Sequence, residues 1–260
     1  MNPPEKSDRR VSLARLPALL LAAFVAATVL IRPAMADDAL TPGQKSAVDQ
    51  AIHDYLVNHP EVLLDALKAA QQQSDQQAAE HSRSMIIAKR QELLEDPDDL
   101  VQGNPTGDTT LVEFFDYRCP YCKEIEPALD ALLHEDSKLR IVYKEFPVLG
   151  EASIFATRVA LAAKKQGKYA EFHHAMMTVK GNISDDTVLK VAASVGLNTA
   201  KIKADMGAPE IDRLIKANYD LAETLNVQGT PGLIVGDTMI PGAVDIDTLR
   251  KDIAAARKGG

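Results

Sequence analysis

Tryptophan is missing from this 260-residue chain, and cysteine occurs only twice. Two cysteines cannot staple a disulfide-rich scaffold, and they leave a closed Cys-rich metal site without ligands. Positive charge is in deficit, with 29 Lys and Arg against 37 Asp and Glu and a formal net charge of −8. That balance lacks the basic footprint of a nucleic-acid binder. Hydrophobic residues make up 46% and charged residues 25%, which fits neither a disordered chain nor a polytopic membrane protein. No internal repeat stands out, and the Gln-rich stretch at Gln71–Gln77 is the one tract of biased composition.

One apolar run is present, and it lies at the start. Lys6, Arg9, Arg10 and Arg15 precede an uncharged segment from Leu16 to Ile31, and Ala34-Met35-Ala36 supplies an A-x-A cleavage site. The run is short for a membrane span of ~20 residues, and Arg32-Pro33 closes it. Residues 1–36 are expected to be a signal peptide cleaved after Ala36, with export by the general secretory route. The remainder carries 24 basic and 35 acidic residues, so an acidic, exported, soluble protein is expected.

Two regions follow. Residues 37–103 read as a helical N-terminal arm and linker. Thr41-Pro42-Gly43-Gln44 has the pattern of a capping box with Pro at the first helical position, and Val48, Ile52, Tyr55 and Leu56 follow on one face. Asn58-His59-Pro60 breaks that helix. Pro60 opens a second, free of further Gly or Pro to about Glu95, which would span roughly 54 Å as one helix. Its ends are apolar, but Gln71–Ser84 offers no large apolar side chain, so the middle is expected to be solvated. The Leu63, Leu67 and Ala70 stripe beside the first amphipathic face is too small for a core of its own. Self-association of the arm is expected, against a hairpin packed on its own downstream domain.

Residues 104–260 change character. Thr110–Asp116 reads as a buried strand, Cys119–Leu133 as a helix and Leu139–Phe146 as a second strand, a βαβ unit with a parallel pair. A helical insertion at about 151–226 follows. Leu233–Ile240 reads as a hairpin with a Gly-Asp turn, and a closing helix starts at about Ile246.

Both cysteines fall in Cys119-Pro120-Tyr121-Cys122, where a strand gives way to a helix. Unpaired backbone N–H groups and the helix dipole stabilise a thiolate there. Residues three apart share a helical face, so the inner thiol can attack a mixed disulfide formed at the outer one. Pro120 suits a first turn because it has no N–H to leave unpaired. A purely structural disulfide across so small a loop would add little stability. A zinc site would need further ligands, and none of the six His lies in ligand spacing with the CxxC. Glu113 is a polar intruder in an apolar strand. A buried carboxylate points to a raised pKa and proton handling, with Lys144 a candidate partner; an exposed edge position is the alternative. His173-His174 and Met176-Met177 could offer ligands to copper, although Tyr169, Phe172 and Met176 read more simply as a buried helix face.

The run Glu113-Phe114-Phe115-Asp116-Tyr117-Arg118-Cys119-Pro120-Tyr121-Cys122, with Gly229-Thr230-Pro231-Gly232 downstream, resembles the DsbA-type thiol–disulfide oxidoreductases of the thioredoxin superfamily. The resemblance covers about Thr110 to Ala256. The Leu40–Leu67 region further resembles the suppressor-of-copper-sensitivity C (ScsC) branch, which has an N-terminal oligomerisation arm. It implies an α/β thioredoxin fold with a helical insertion. It also implies Cys119 as the exposed nucleophile, Cys122 as the resolving thiol, Pro231 as the cis-proline facing them, and Thr230 as a backbone partner for an extended substrate. An acidic residue at Glu113 would serve the proton of the inner cysteine. No cofactor is expected beyond a redox-active Cys119–Cys122 disulfide.

The expected function is disulfide exchange on unfolded or misoxidised exported proteins in the periplasm. An isomerase kept reduced by a membrane reductase of the ScsB/DsbD type is favoured, working as a homotrimer through the arm. Clustered sites would raise the effective concentration on a misfolded client. The alternatives are a monomeric disulfide donor, a copper relay binding Cu(I) on Cys119 and Cys122, and a passive chaperone.

Overall fold

The computed structural model describes residues 40–259, so the expected signal peptide and its cleavage site lie outside the described residues. The chain divides after Asp65 into two units. In the first, α1 (Pro42–Asn58) starts at the predicted capping box: the Thr41 hydroxyl accepts from the Gln44 amide at 3.4 Å, and the Gln44 side chain accepts from the Thr41 amide at 2.9 Å. No residue of α1 is buried, and Val48, Ile52 and Tyr55 are exposed.

Helix α2 (Pro60–Ala88) is continuous through the polar Gln71–Ser84 stretch, all of it exposed but for half-buried Ser82. The helix expected to reach Glu95 ends at Ala88 instead. A short α3 (Arg90–Leu94) follows, which lets Leu93 as well as Ile86 enter a hydrophobic core.

The second unit, from Ala66 onward, is built on a five-stranded sheet in the order β1-β3-β2-β4-β5. The strands are β1 (Leu100–Gly103), β2 (Thr109–Phe115), β3 (Leu139–Glu145), β4 (Gly232–Val235) and β5 (Thr238–Pro241). β2 and β3 are parallel, as the βαβ reading requires; the other pairings are antiparallel. β1 was not anticipated. Its four residues lie in a stretch rich in turn formers between Pro97 and Pro105, and only pairing with β3 makes them a strand. The boundary expected between residues 103 and 104 therefore moves toward the N-terminus: β1, Leu93 and Ile86 all belong to the sheet domain.

The crossover between β2 and β3 is α4 (Pro120–Glu135). Five helices fill the insertion: α5 (Glu151–Lys164), α6 (Tyr169–Met177), α7 (Asp185–Ser194), α8 (Thr199–Asp205) and α9 (Pro209–Thr224). Gly236-Asp237 turns the β4–β5 hairpin, with Gly236 at φ +62°, a conformation glycine adopts without strain. α10 (Ile246–Gly259) closes the chain.

Strand alternation separates two cores. Leu111, Phe115, Ile141, Tyr143 and Leu233 pack with α4, α10 and the insertion. Val112, Phe114, Val142 and Ile234 pack on the other face with Ile86, Leu93 and the end of α9. Glu113 is in register with Tyr143, and Lys144 with Phe114. The two side chains thus leave the sheet on opposite faces, and Lys144 is not the partner of Glu113. It pairs instead with Asp99 at 2.5 Å and donates to the Glu92 carbonyl at 2.6 Å.

Candidate active site

β2 delivers the chain to α4 through Asp116-Tyr117-Arg118. The Asp116 carboxylate fixes this turn: Oδ1 accepts from the Arg118 amide at 2.7 Å and the Ser153 hydroxyl at 2.8 Å, and Oδ2 accepts from the Leu149 amide at 2.9 Å. Cys119 is the N-cap of α4 and Pro120 its first residue. Cys122 lies on the first turn. Both cysteines are free thiols.

The two sulfurs differ in environment. Cys119 is 3% exposed and Cys122 fully buried, so the position expected to be exposed is nearly closed, while Tyr121 between them is 59% exposed. A hydrogen bond from the Cys122 thiol, with help from the Thr230 side chain and the Cys122 and Tyr121 amides, lowers the Cys119 pKa to about 6 against the cost of desolvation. Burial first, then the hydrogen bond given to Cys119 and the nearby Glu113 carboxyl, raise that of Cys122 far above the usual thiol range. One sulfur is poised as a thiolate and the other is held as a thiol.

Thr230 and Pro231 join the CxxC from the far side of the fold. The Thr230–Pro231 peptide bond is cis, and the Cys119 thiol donates to the Thr230 carbonyl at 3.1 Å. That carbonyl favours the protonated thiol and the Thr230 hydroxyl favours the thiolate, so the residue touches both states. Beside this loop, a cavity of about 560 Å³ is lined by Gln228, Thr230, Pro231 and, from α2, His81 and Met85.

Glu113 is wholly buried and neither carboxyl oxygen has a hydrogen-bond partner. Desolvation, then repulsion from Glu126, push its pKa well above the ordinary range, and the Cys122 thiol pulls it back in part. It sits at the base of the site beside the inner thiol, where burial favours its protonated form.

Sequence reasoning missed Glu126 and the polar network behind it. Glu126 is four residues after Cys122 on α4, one turn below it on the same face. That i,i+4 relation to the inner cysteine was a usable signal. Tyr117, Tyr169 and Thr157 converge on buried Glu145 at 3.0, 2.9 and 2.6 Å, a grouping no local spacing reveals. Of the copper candidates, Met176 and His173 are buried, and Met176 packs in the core as the simpler reading held.

A CxxC at a helix start facing a cis-proline on a mixed sheet defines a thioredoxin-fold protein. Residues 110–254 match the DSBA-like thioredoxin domain family, and the chain belongs to that family. Residues 44–79 match the Copper resistance protein ScsC N-terminal domain. Among solved structures, the chain is similar to a thioredoxin-like oxidoreductase from Silicibacter pomeroyi DSS-3, with 44% identity, TM-score 0.64, and coverage of 66% of this chain and 99% of that one. Proteus mirabilis ScsC in a transitional conformation aligns at 26% identity and TM-score 0.63 over 85% of this chain and 99% of that one. The chain spans about a quarter of the length of the curated relatives it matches. One of these is a Na(+)/H(+) antiporter, NhaA 1, of Salinispora arenicola, 28% identical over 167 residues that make up 63% of this chain and 26% of the relative.

Proposed function

We propose that this protein is an exported disulfide-exchange catalyst that reshuffles wrong disulfides in periplasmic clients, with Cys119 as nucleophile. The observation that carries the reading is the asymmetry of the two sulfurs: a thiol lowered to about 6 beside one held protonated. The Cys119 thiolate attacks a client disulfide. A new Cys119–client S–S bond forms, the client S–S bond breaks, and the departing client sulfur leaves as a thiolate. Attack by another client thiolate on the mixed disulfide then gives a new client pairing and returns Cys119 as a thiolate.

The escape route uses Cys122. In its ionised form, Glu113 accepts the Cys122 proton as that sulfur attacks Sγ of Cys119. The reduced client departs and a Cys119–Cys122 disulfide remains, which a membrane thiol reductase returns to the dithiol with two electrons and two protons. Thr230 and Pro231 hold an extended client segment across the sulfurs. The exposed apolar side chains of α1 support a homo-oligomer, a trimer in the ScsC manner, that presents several such sites together.

The test is reactivation of scrambled ribonuclease by residues 37–260 at catalytic concentration in a reducing redox buffer. A variant lacking residues 37–70 runs alongside; a longer deletion would remove Ile86 and Leu93 from the core. Recovery with the full chain and its loss on deletion support an arm-dependent isomerase. Recovery of neither, with oxidation of reduced ribonuclease intact, makes the protein a disulfide donor.

The match of residues 44–79 to a domain named for copper resistance favours one second reading, Cu(I) held by the two thiolates. One-to-one Cu(I) binding by the reduced chain, lost in Cys119→Ser/Cys122→Ser, would support it.

A further inference from the structure

On the flank of α4, acceptor atoms face one another with no donor among them. Glu126 is 3% exposed, and neither of its carboxyl oxygens has a hydrogen-bond partner. His173 on α6 is wholly buried, and its Nε2 also lacks a partner, 3.6 Å from Glu126 Oε1. The network behind it sets its tautomer. Tyr117 has one hydroxyl hydrogen and donates it to Glu145, so it accepts from His173 Nδ1 at 3.3 Å. In neutral imidazole the other nitrogen then carries only a lone pair. An acceptor nitrogen therefore faces a carboxylate, which needs a cation or a proton between them.

Two further ligands stand at the rim. Asp130, one turn beyond Glu126 on α4, and His174 on α6 approach each other at 3.7 Å. Single ligand atoms of Glu126, Asp130 and His174 all lie within 4.8 Å of one another. The three line a cavity of about 580 Å³ that also reaches Pro120 of the CxxC. Of the cations that line it, Lys123 donates to the Val179 carbonyl at 2.6 Å and Arg118 to the Leu149 carbonyl, and Lys180 forms no ion pair with Glu126 or Asp130. Two carboxylates and an imidazole are the donor set of a borderline divalent cation such as Zn²⁺, not of a soft monovalent one. At about 2.1 Å from each donor, tetrahedral ligand atoms sit roughly 3.4 Å apart, which half-exposed Asp130 and exposed His174 can reach by side-chain rotation.

We propose that Glu126, Asp130 and His174 form a divalent-cation site of the Zn²⁺ class beside the CxxC helix, with buried His173 closing its inner side. This site is separate from the thiols. An ion there would satisfy the orphaned Glu126 carboxylate, and its open positions face the cavity, where water completes the shell.

The experiment titrates Zn²⁺ by calorimetry into residues 37–260 carrying Cys119→Ser and Cys122→Ser, so that thiol chemistry contributes nothing. One ion per chain is expected, with affinity falling at least tenfold in Asp130→Asn and in His174→Ala. Both residues are at the rim, so neither change endangers folding. Glu126→Gln should lose binding as well, and a Zn²⁺-induced rise in unfolding temperature should vanish in all three. Absence of binding overturns the site, with a proton then the occupant between Glu126 and His173. Binding unchanged in Asp130→Asn and His174→Ala also overturns it, because the ligands would then lie elsewhere, for example on His53, His59 or His81.

Discussion

At the scale of single residues, the site works by making identical groups unequal. Cys119 should alkylate with iodoacetamide along a titration curve whose midpoint is near pH 6, because its thiolate is favoured to that point. Cys122 should stay unreactive throughout in the folded protein, since it is buried and held as a thiol. Glu113→Gln separates the two steps. Cys119 alkylation should keep its profile nearly unchanged, while attack of Cys122 on a preformed mixed disulfide slows by about 10²-fold, the scale of a lost general base. Rapid-mixing fluorescence of a labelled mixed disulfide reads that rate, and an unaltered rate would remove Glu113 from the proton path.

The buried acids also govern stability against pH. Burial raises the Glu145 pKa to about 8 even with three hydroxyls donating to it, and raises Glu113 in the same direction. Unfolding returns each to an ordinary value near 4.5, so between about pH 4.5 and 8 the folded state holds more protons than the unfolded one. Stability is then greatest at the acid end and falls as pH rises, by up to about 1.4 kcal/mol per pH unit for each group at its steepest. In the disulfide form, where no thiol titrates, the unfolding midpoint should be higher at pH 5 than at pH 8. Glu145→Gln should flatten the slope, and a midpoint that climbs with pH would contradict the assignment.

At the scale of elements, α4 and its flanking strands were legible because each signal was local. Seven residues of mostly apolar β2, a proline at the first turn and a CxxC whose cysteines lie three apart announce a strand-to-helix junction from the sequence alone. What was hidden depended on pairing. β1 is four residues among turn formers, and no periodicity marks it. The partner of Lys144 was misread for the same reason: the face it takes follows from register against β2, and its true partner Asp99 lies outside both strands.

That pair is an element-level device, tying β3 to the segment after α3. Lys144 is 1% exposed and Asp99 6% at their side chains, and burial lifts Asp99 to about 7 against the pull of the ammonium. Lys144→Met leaves a carboxyl buried without its cation and should cost about 3–5 kcal/mol in urea unfolding. Lys144→Met with Asp99→Leu should recover most of the loss, since two apolar side chains of similar volume need no partner. A double variant as unstable as the single one would mean that the Glu92 carbonyl bond, not the ion pair, carries the effect.

At the scale of the whole molecule, the arm raises a question that the sheet domain does not. Helix α1 keeps no side chain buried, although Ile52 and Tyr55 are 53% and 55% exposed, and Leu63 and Leu64 at the start of α2 are 47% and 58% exposed. Apolar side chains of this size each gain roughly 1.5–3 kcal/mol when fully buried, so a partner surface is worth several times the thermal energy. A second copy of the arm offers the same residues and satisfies that demand by symmetry. Light scattering on residues 37–260 should therefore give an integer multiple of the chain mass. Ile52→Glu with Leu63→Glu should give the single-chain mass, because a carboxylate at each position opposes burial. The consequence for function is then direct. Cys119 alkylation in that variant should match the parent protein, since the sheet domain is untouched, while reactivation of scrambled ribonuclease falls because the sites no longer share a client. A monomeric parent, or full reactivation by the monomeric variant, would mean that each CxxC works alone and that the arm serves something other than isomerisation.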